Sequence, residues 1–150
     1  MGVREIIFRG KDAHGEWVEG SLITKYDCDA TITSSAYILE KCEFSIGCDW
    51  NTSIYDCEFI EVDLDTLGQY TGLTDKNGTK IFEGDIVRGV YIKTGGEVFV
   101  ISGAIKYALD RFQIWGKYVV DLRDVQDVKV IGNIYDNSEL LGGDNGSMGN

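Results

Sequence analysis

Carboxylates are the side chains whose spacing in this sequence could most readily support chemistry. Glu61, Asp63 and Asp65 recur at every second position, so they share one face if the segment is a strand. A row of this kind could supply a general acid and a general base, or it could hold a metal ion. A solvated strand face has the same pattern and is the more common explanation. A small carboxylate-based hydrolase or metal enzyme therefore stays open as an alternative function.

Other residues capable of chemistry lack the neighbours that catalysis needs. Asp121, Asp124 and Asp127 would line one side of a short helical segment, a pattern typical of a solvent-facing surface. His14 is the only histidine of the sequence, it lies in a predicted turn, and no serine or cysteine nucleophile motif accompanies it. The sequence therefore predicts no catalytic residue, no cofactor site and no metal site, and it favours a protein without enzymatic activity.

The four cysteines of the chain lie within one short window, at Cys28, Cys42, Cys48 and Cys57. Structural zinc sites usually place two ligands only a few residues apart, and this spacing contains no C-x2-C pair. The sequence shows no secretory signal, which would have indicated an oxidising compartment. We therefore predict free thiols in a cytoplasmic protein, with no bound zinc.

Residues 68–89 form a glycine-rich stretch that could be mistaken for a ligand-binding loop. A phosphate-binding loop requires Gly-Lys-Ser/Thr followed by a helix, whereas Gly78-Thr79-Lys80 has the wrong order and precedes a predicted strand. A calcium loop is also disfavoured, because its glycine and its final acidic residue would both be displaced. Asn77-Gly78 instead predicts a tight type I′ turn between two extended segments.

Composition and charge narrow the class of protein. A chain of 150 residues with a formal charge of −11 repels phosphate backbones, so nucleic-acid binding is disfavoured. The same charge favours solubility and attracts basic partners. No apolar run in the sequence is long enough to span a membrane as a helix. These observations favour a soluble globular protein over DNA-binding and membrane proteins.

Short apolar and alternating segments separated by glycine-rich turns predict a mainly β protein. We expect a partly open barrel or a sandwich of short antiparallel strands, with one or two short helical turns. Residues 1–141 are predicted to form a single domain, in which residues 24–57 are a variable excursion that carries the cysteines. Within it, residues 41–57 are predicted to be either an irregular loop or a short hairpin. Residues 142–150 are predicted to be a disordered tail. The predicted strands are 5–9, 16–23, 36–39, 59–63, 80–82, 86–92, 97–101, 104–107, 112–115 and 128–135. Helical turns are predicted at 65–69, with Asp65 as the N-cap and Gly68 ending the turn, and at 138–141. A bulge or bend is predicted at Gly103.

Four parts of the sequence carry a family resemblance. They are REIIFRGKD with WVEG (residues 4–12 and 17–20), GQYTGLTDKNG (68–78), IFEGDIV (81–87) and VIGNIYDN (130–137). Together they resemble the YopX family of phage and prophage proteins, although residues 24–57 and the tail fall outside these stretches. Ser138 stands where the family often has proline. The resemblance implies a mainly β fold and a phage or prophage origin, and it brings no established activity. The signature residues, which we expect to be structural, are Arg9, Gly10, Tyr70, Gly72, Asp75, Gly78, Gly84, Asp85, Gly132 and Asn133.

The residues and the resemblance together favour a non-catalytic protein that binds another macromolecule in the cytoplasm of a host cell. We expect the partner to be a protein, and we expect the acidic surface, including Asp121, Asp124 and Asp127, to attract a basic one. An alternative is an acidic decoy that imitates nucleic acid and thereby occupies a host protein. The sequence favours no nucleic-acid or membrane partner, and it leaves homo-oligomer formation open.

Overall fold

The computed structural model describes residues 4–26, 33–46 and 53–142, with the backbone alone for 33–34, 41–46 and 53–56. Cys28, Cys48 and residues 143–150 of the predicted tail lie outside the described residues. Two 3₁₀ turns, Leu64–Thr66 and Leu122–Asp124, and one short helix, α1 (Glu139–Gly142), interrupt or follow the strands. The strands are β1 (Phe8–Lys11), β2 (Trp17–Tyr26), β3 (Thr33–Ile46), β4 (Ser53–Val62), β5 (Gly68–Thr74), β6 (Lys80–Phe82), β7 (Asp85–Ile92), β8 (Val98–Ala108), β9 (Arg111–Gly116), β10 (Val119–Asp121) and β11 (Val125–Asn133).

The described strands form two antiparallel sheets, which confirms the predicted mainly β class. Their orders are β4-β3-β2-β1-β5-β6 and β10-β9-β8-β7-β11, and neither sheet closes into a barrel within the described part of the chain. The chain divides into two compact units, residues 1–69 and 70–150. Strand β5 begins in the first unit and continues in the second. Because two compact units can belong to one domain, the single domain at residues 1–141 stays a prediction.

A long hairpin of β3 and β4 dominates the first unit. For residues 41–57, where the sequence predicts either an irregular loop or a short hairpin, the described backbone is a hairpin, and its strands are long. The two strands pair from Ala36 opposite Val62 to Ile46 opposite Ser53. Ala36 and Val62 are buried and pack with Val18 of β2, so the base of the hairpin belongs to the apolar core of this unit.

The helical turn after β4 lies where the sequence indicates one, but it has a different cap. Asp63, rather than Asp65, precedes the turn in extended conformation, and its carboxylate accepts a hydrogen bond from the N–H of Asp65 at 3.0 Å. The prediction that Gly68 ends the helical turn is wrong, because Gly68 is the first residue of β5. Aspartate is a favoured N-cap residue, so residue type alone does not distinguish Asp63 from Asp65. Asp63 is the cap because β4 ends at Val62 and the turn begins directly after Asp63.

The core of the second unit lies on one face of β7, β8 and β9. Its central side chains, Val87, Ile101, Ile105 and Ile114, are buried, and the strand alternation places them on the same side of the sheet. Strand β8 is continuous through Gly103, with no register shift against β7 or β9, so the predicted bulge is absent. Glycine is needed at this position because the backbones of β8 and β9 approach closely: a Cβ at Gly103 would lie 2.4 Å from the carbonyl oxygen of Trp115.

The tight turn predicted at Asn77-Gly78 is present between β5 and β6. The carbonyl of Asp75 accepts a hydrogen bond from the N–H of Gly78 at 3.0 Å, and the N–H of Asp75 donates to the carbonyl of Thr79 at 2.8 Å. Gly78 has a φ of 81°, whereas Asn77 does not have a positive φ. A type I′ turn needs positive φ at both central residues, so the predicted type is wrong. The pattern matches a longer loop that ends in a left-handed glycine.

Gly78→Val is expected to lower the free energy of unfolding by about 1 kcal/mol or more, because a β-branched residue tolerates positive φ poorly. No atom outside its chain neighbours lies within 4 Å of a Cβ built at Gly78, so backbone strain is the only cost. Gly78→Asn is the matched control, since asparagine adopts this conformation more readily. Urea unfolding of both variants decides the matter, and an equal loss for valine and asparagine would contradict the interpretation.

Candidate functional site

The predicted carboxylate row at the end of β4 does not form a chemical site. Glu61, Asp63 and Asp65 are all exposed, and Asp63 is used to cap the 3₁₀ turn. Among the residues that the structure describes, no group of three or more His, Cys, Asp or Glu side chains is placed to hold a metal ion. The carboxylate-based hydrolase therefore lacks the convergent, partly buried cluster that would support it.

The second acidic run is split between different elements rather than aligned on one helical side. Asp121 ends β10, and its carboxylate caps the following 3₁₀ turn by accepting the N–H of Arg123 at 3.0 Å. It also forms an ion pair with Arg111 at 3.4 Å, and its side chain is only 14% exposed. Asp124 and Asp127 are exposed. The prediction that all three face solvent together is therefore wrong for Asp121, because the turn and two arginines hold it.

The prediction of free thiols is wrong for Cys57. Cys57 is disulfide-bonded, so it is not the free thiol that the sequence predicts. Across the β3–β4 ladder, the residue in register with Cys57 is Cys42. Strand register, rather than a spacing motif, places these two positions side by side, and this is why the spacing did not indicate a disulfide. His14 lies in an exposed turn, as predicted.

Asp75 is the most fully engaged carboxylate of the glycine-rich stretch. It is buried, and one of its oxygens accepts the N–H groups of Asn77 at 2.8 Å and Thr79 at 2.9 Å. The other oxygen accepts the N–H of Val130 at 3.0 Å. One side chain therefore closes the β5–β6 loop and ties it to β11, which is a structural role and not a binding one.

The pKa of Asp75 follows from these contacts. Burial alone would raise the pKa of this carboxyl, because it disfavours the charged form. The three donated hydrogen bonds and the nearby charge of Lys129 favour the carboxylate and outweigh burial. The pKa of Asp75 therefore lies below its usual value, and the group is ionised at neutral pH.

Three further signature residues, Asp85, Asn133 and Tyr70, also make structural contacts. Buried Asp85 accepts the N–H of Phe82 at 2.8 Å across the turn between β6 and β7. The side-chain carbonyl of Asn133 accepts the N–H groups of Tyr135 at 3.0 Å and Asp136 at 2.9 Å, which turns the chain after β11. Tyr70 packs against Phe82 with ring centroids 5.5 Å apart. The side chains of Asp85 and Asn133 therefore stabilise turns, and the ring of Tyr70 stabilises the packing of β5 on β6.

A cavity on the second unit has the composition of a binding site. Its volume is about 260 Å³, and it opens where the core face of β7 and β8 meets the chain around β10. Phe99 and Tyr118 stand edge to face across it, with ring centroids 6.3 Å apart. The lining residues contain no carboxylate, histidine, cysteine, serine or threonine, and they are Tyr91, Lys93, Phe99, Ile101, Tyr118, Val119 and Val120. We call this space the aromatic cavity.

Two lysines give the rim of the aromatic cavity a positive charge. Lys93 lines the cavity and is exposed. Lys117 is exposed and immediately precedes Tyr118, which is part of the cavity wall. The ammonium of Lys117 lies 5.5 Å from the ring centroid of Tyr118. Within the described residues, the ion pairs of this unit that join Asp121 to Arg111 and Arg123 involve neither lysine. The cavity therefore combines apolar walls with two available cations, in a protein whose overall charge is negative.

One wall of the aromatic cavity is a stretch of sheet that has a neighbour on one side only. Strand β8 pairs with β7 from Val98 to Ala104, but its ladder with β9 begins only at Gly103. The chain turns back after β9, where the N–H of Gly116 donates to the carbonyl of Tyr118. Within the described residues, Val98–Ser102 therefore form no ladder with a second strand, and only the carbonyl of Ser102 is approached by Gly116 at the end of β9. We call these residues the open edge.

The sequence contains a signal for this site that the strand pattern alone does not explain. In Val98-Phe99-Val100-Ile101 every residue is apolar, whereas a strand with one solvated face alternates apolar and polar residues. Val98 and Val100 are 64% and 61% exposed on the face opposite the cavity. A strand that is apolar on both faces and yet exposed on one indicates a surface prepared for contact.

Comparisons with known proteins agree with the fold. The family model described as YopX protein matches residues 8–142 of the chain. The crystal structure of protein EF1440 from Enterococcus faecalis is similar over 93% of this chain and 99% of that one, with a TM-score of 0.59 and 27% identity. No curated protein gives a significant match. In the described ranges, no helix has the length and hydropathy of a transmembrane span.

The family match covers most of the chain. It includes residues 24–57, which the four stretches of sequence resemblance leave out, and it reaches the end of α1. The mainly β architecture, the turns built by the signature residues and the similarity to the Enterococcus protein are consistent with it. The chain therefore belongs to the YopX family.

Proposed function

We propose that the protein is a non-catalytic binding protein, encoded by a phage or prophage, whose partner in the host cytoplasm is another protein. The observation that carries this proposal is the aromatic cavity. Its walls are rich in aromatic and aliphatic side chains, and tyrosine and other aromatics are favoured where proteins bind each other. The signature carboxylates Asp75 and Asp85 support the backbone, so they are not available for a reaction.

The position of the cavity also supports a macromolecular partner. It opens at the surface, and the exposed side chains of Val98 and Val100 lie on the opposite face of the strand that forms one of its walls. A partner that covered both the cavity and these valines would bury apolar surface on the two faces of the same strand. Burial of such surface contributes about 25 cal/mol per Å² before the costs of association are counted. A small ligand in the cavity would leave the valines in water.

Affinity capture from host-cell lysate with purified protein tests the proposal. Val119 lines the cavity and is 53% exposed, so Val119→Lys should disturb binding without unfolding the protein. Leu109→Lys is the matched control, because Leu109 is 80% exposed and is not part of the cavity. We expect the wild-type protein and the Leu109 variant to retain the same partner, and the Val119 variant to lose it. Equal retention by all three would contradict the proposed site.

A further inference from the structure

Resting on the proposed function, we infer that the open edge accepts an extended peptide segment of the partner as an additional β-strand. The segment places an apolar side chain in the aromatic cavity and an acidic residue near Lys93 and Lys117. The inference thus names the chemistry of the partner: a short extended segment, apolar on both faces, with an adjacent carboxylate.

The backbone of the open edge supplies the first part of the argument. In an antiparallel strand, alternate residues direct both their N–H and their C=O to the same side. Between Val98 and Ser102, the groups that point away from β7 have no strand partner among the described residues. An added strand would satisfy them, which is the basis of peptide recognition by β-augmentation. The rise of about 3.4 Å per residue makes this edge long enough for roughly five residues of peptide.

The side chains of the open edge supply the second part. Phe99 and Ile101 point to the aromatic cavity, whereas Val98 and Val100 lie on the opposite face beside exposed Ile92. A peptide added to the edge continues this alternation, so one of its residues faces the cavity and the next faces the valines. Both faces offer apolar contacts. The complementary peptide is therefore apolar at successive positions.

The charge of the rim selects the flanking residue of the peptide. Lys93 lines the cavity and Lys117 adjoins it at Tyr118, and neither takes part in the ion pairs of Asp121 with Arg111 and Arg123. The positive charge of both lysines would attract an acidic residue beside the apolar segment. Exposed edges in soluble proteins are usually protected by charge against nonspecific pairing, and lysine is the residue most used. At this edge the same lysines would exclude basic segments and admit acidic ones.

Selection from a library of random peptides of about ten residues, with the full-length protein as bait, tests the inference. We expect the selected peptides to share consecutive apolar residues next to Asp or Glu. Lys93→Glu with Lys117→Glu should weaken their binding about tenfold in fluorescence anisotropy. Lys76→Glu with Lys106→Glu changes the net charge equally at exposed positions outside the cavity, and should change the affinity by less than about twofold.

Methylation of single amide nitrogens of a selected peptide tests the strand pairing itself. Strand addition predicts that methylation at alternate positions weakens binding about tenfold or more, while intervening positions tolerate it. Uniform tolerance, or equal binding to the two double variants, would overturn the inference.

The test also separates this inference from the function on which it rests. If a captured partner depends on Val119 while no peptide is selected, the proposed function stands and the strand-addition inference is wrong. Binding of the small hydrophobic anion 8-anilinonaphthalene-1-sulfonate in the cavity, without any selected peptide, would assign the site to small ligands and would also overturn it. Circular dichroism of each variant confirms that loss of binding does not reflect unfolding.

Discussion

Replacing Asp75 by alanine is expected to lower the free energy of unfolding by about 3 kcal/mol or more. The substitution removes three hydrogen bonds to a charged acceptor, each of which contributes about 1.5–3 kcal/mol in favourable cases. It also leaves the N–H of Val130, which lies on a strand paired in the core sheet, without its side-chain acceptor. Denaturant unfolding at neutral pH measures the loss, and a loss below about 1 kcal/mol would show that the side chain does not tie the loop to β11.

The pH dependence of stability gives an independent check on Asp75. Because its pKa is lower in the folded protein than in the unfolded chain, the unfolded chain binds the proton more readily, and stability rises with pH in that range. The contribution is complete above the unfolded value of about 3.9, and it is lost as pH falls through the folded pKa. Asp75→Asn should therefore show a smaller decrease in stability below about pH 4 than the wild-type protein. Parallel curves for the two proteins would contradict the pKa assignment.

Gly103→Val is expected to be destabilising by about 3 kcal/mol, because the two backbones of β8 and β9 meet at this residue. A Cβ at position 103 would lie 2.4 Å from the carbonyl oxygen of Trp115 and 2.7 Å from the nitrogen of Gly116. Both contacts are to backbone, which cannot move away without opening the ladder. Overpacking of this kind typically costs about 1–3 kcal/mol. The change should also be visible as a lower melting temperature.

Gly142→Val is the matched control for this prediction. It makes the same chemical change at a glycine without positive φ, where a Cβ would have no neighbour within 4 Å. We expect its melting temperature to stay within a few degrees of the wild-type value. Equal losses for the two variants would mean that chain entropy, and not the close approach at Gly103, explains the effect.

Local chemistry accounts for the parts of the fold that were predicted correctly. Alternation of apolar and polar residues marks β2, a largely apolar run marks β7, and Asn-Gly marks the loop between β5 and β6, because these signals depend only on near neighbours. The helical turn near residue 64 and the last turn at α1 were predicted for the same reason. Their exact caps and turn types were not, since they depend on where the preceding strand ends.

The features that were missed depend on which segments pair and in which register. The disulfide-bonded Cys57 is in register with Cys42 across the β3–β4 ladder, and the three contacts of Asp75 include one to Val130, which is far away in the sequence. The aromatic cavity arises because β9 starts its ladder only at Gly103 and leaves Val98–Ser102 without a second neighbour. A sequence pattern identifies β8 as a strand, but it does not specify which neighbour is missing.

Amide hydrogen exchange of the wild-type protein, with and without the partner obtained by affinity capture, tests the central claim most directly. The claim is that the partner binds at the aromatic cavity and the open edge. Slower exchange should then be concentrated in Val98–Ser102 and in residues 117–120, with little change in β3 and β4 of the first unit. Protection confined to the first unit or to β11, with unchanged exchange at Val98–Ser102, would contradict the claim.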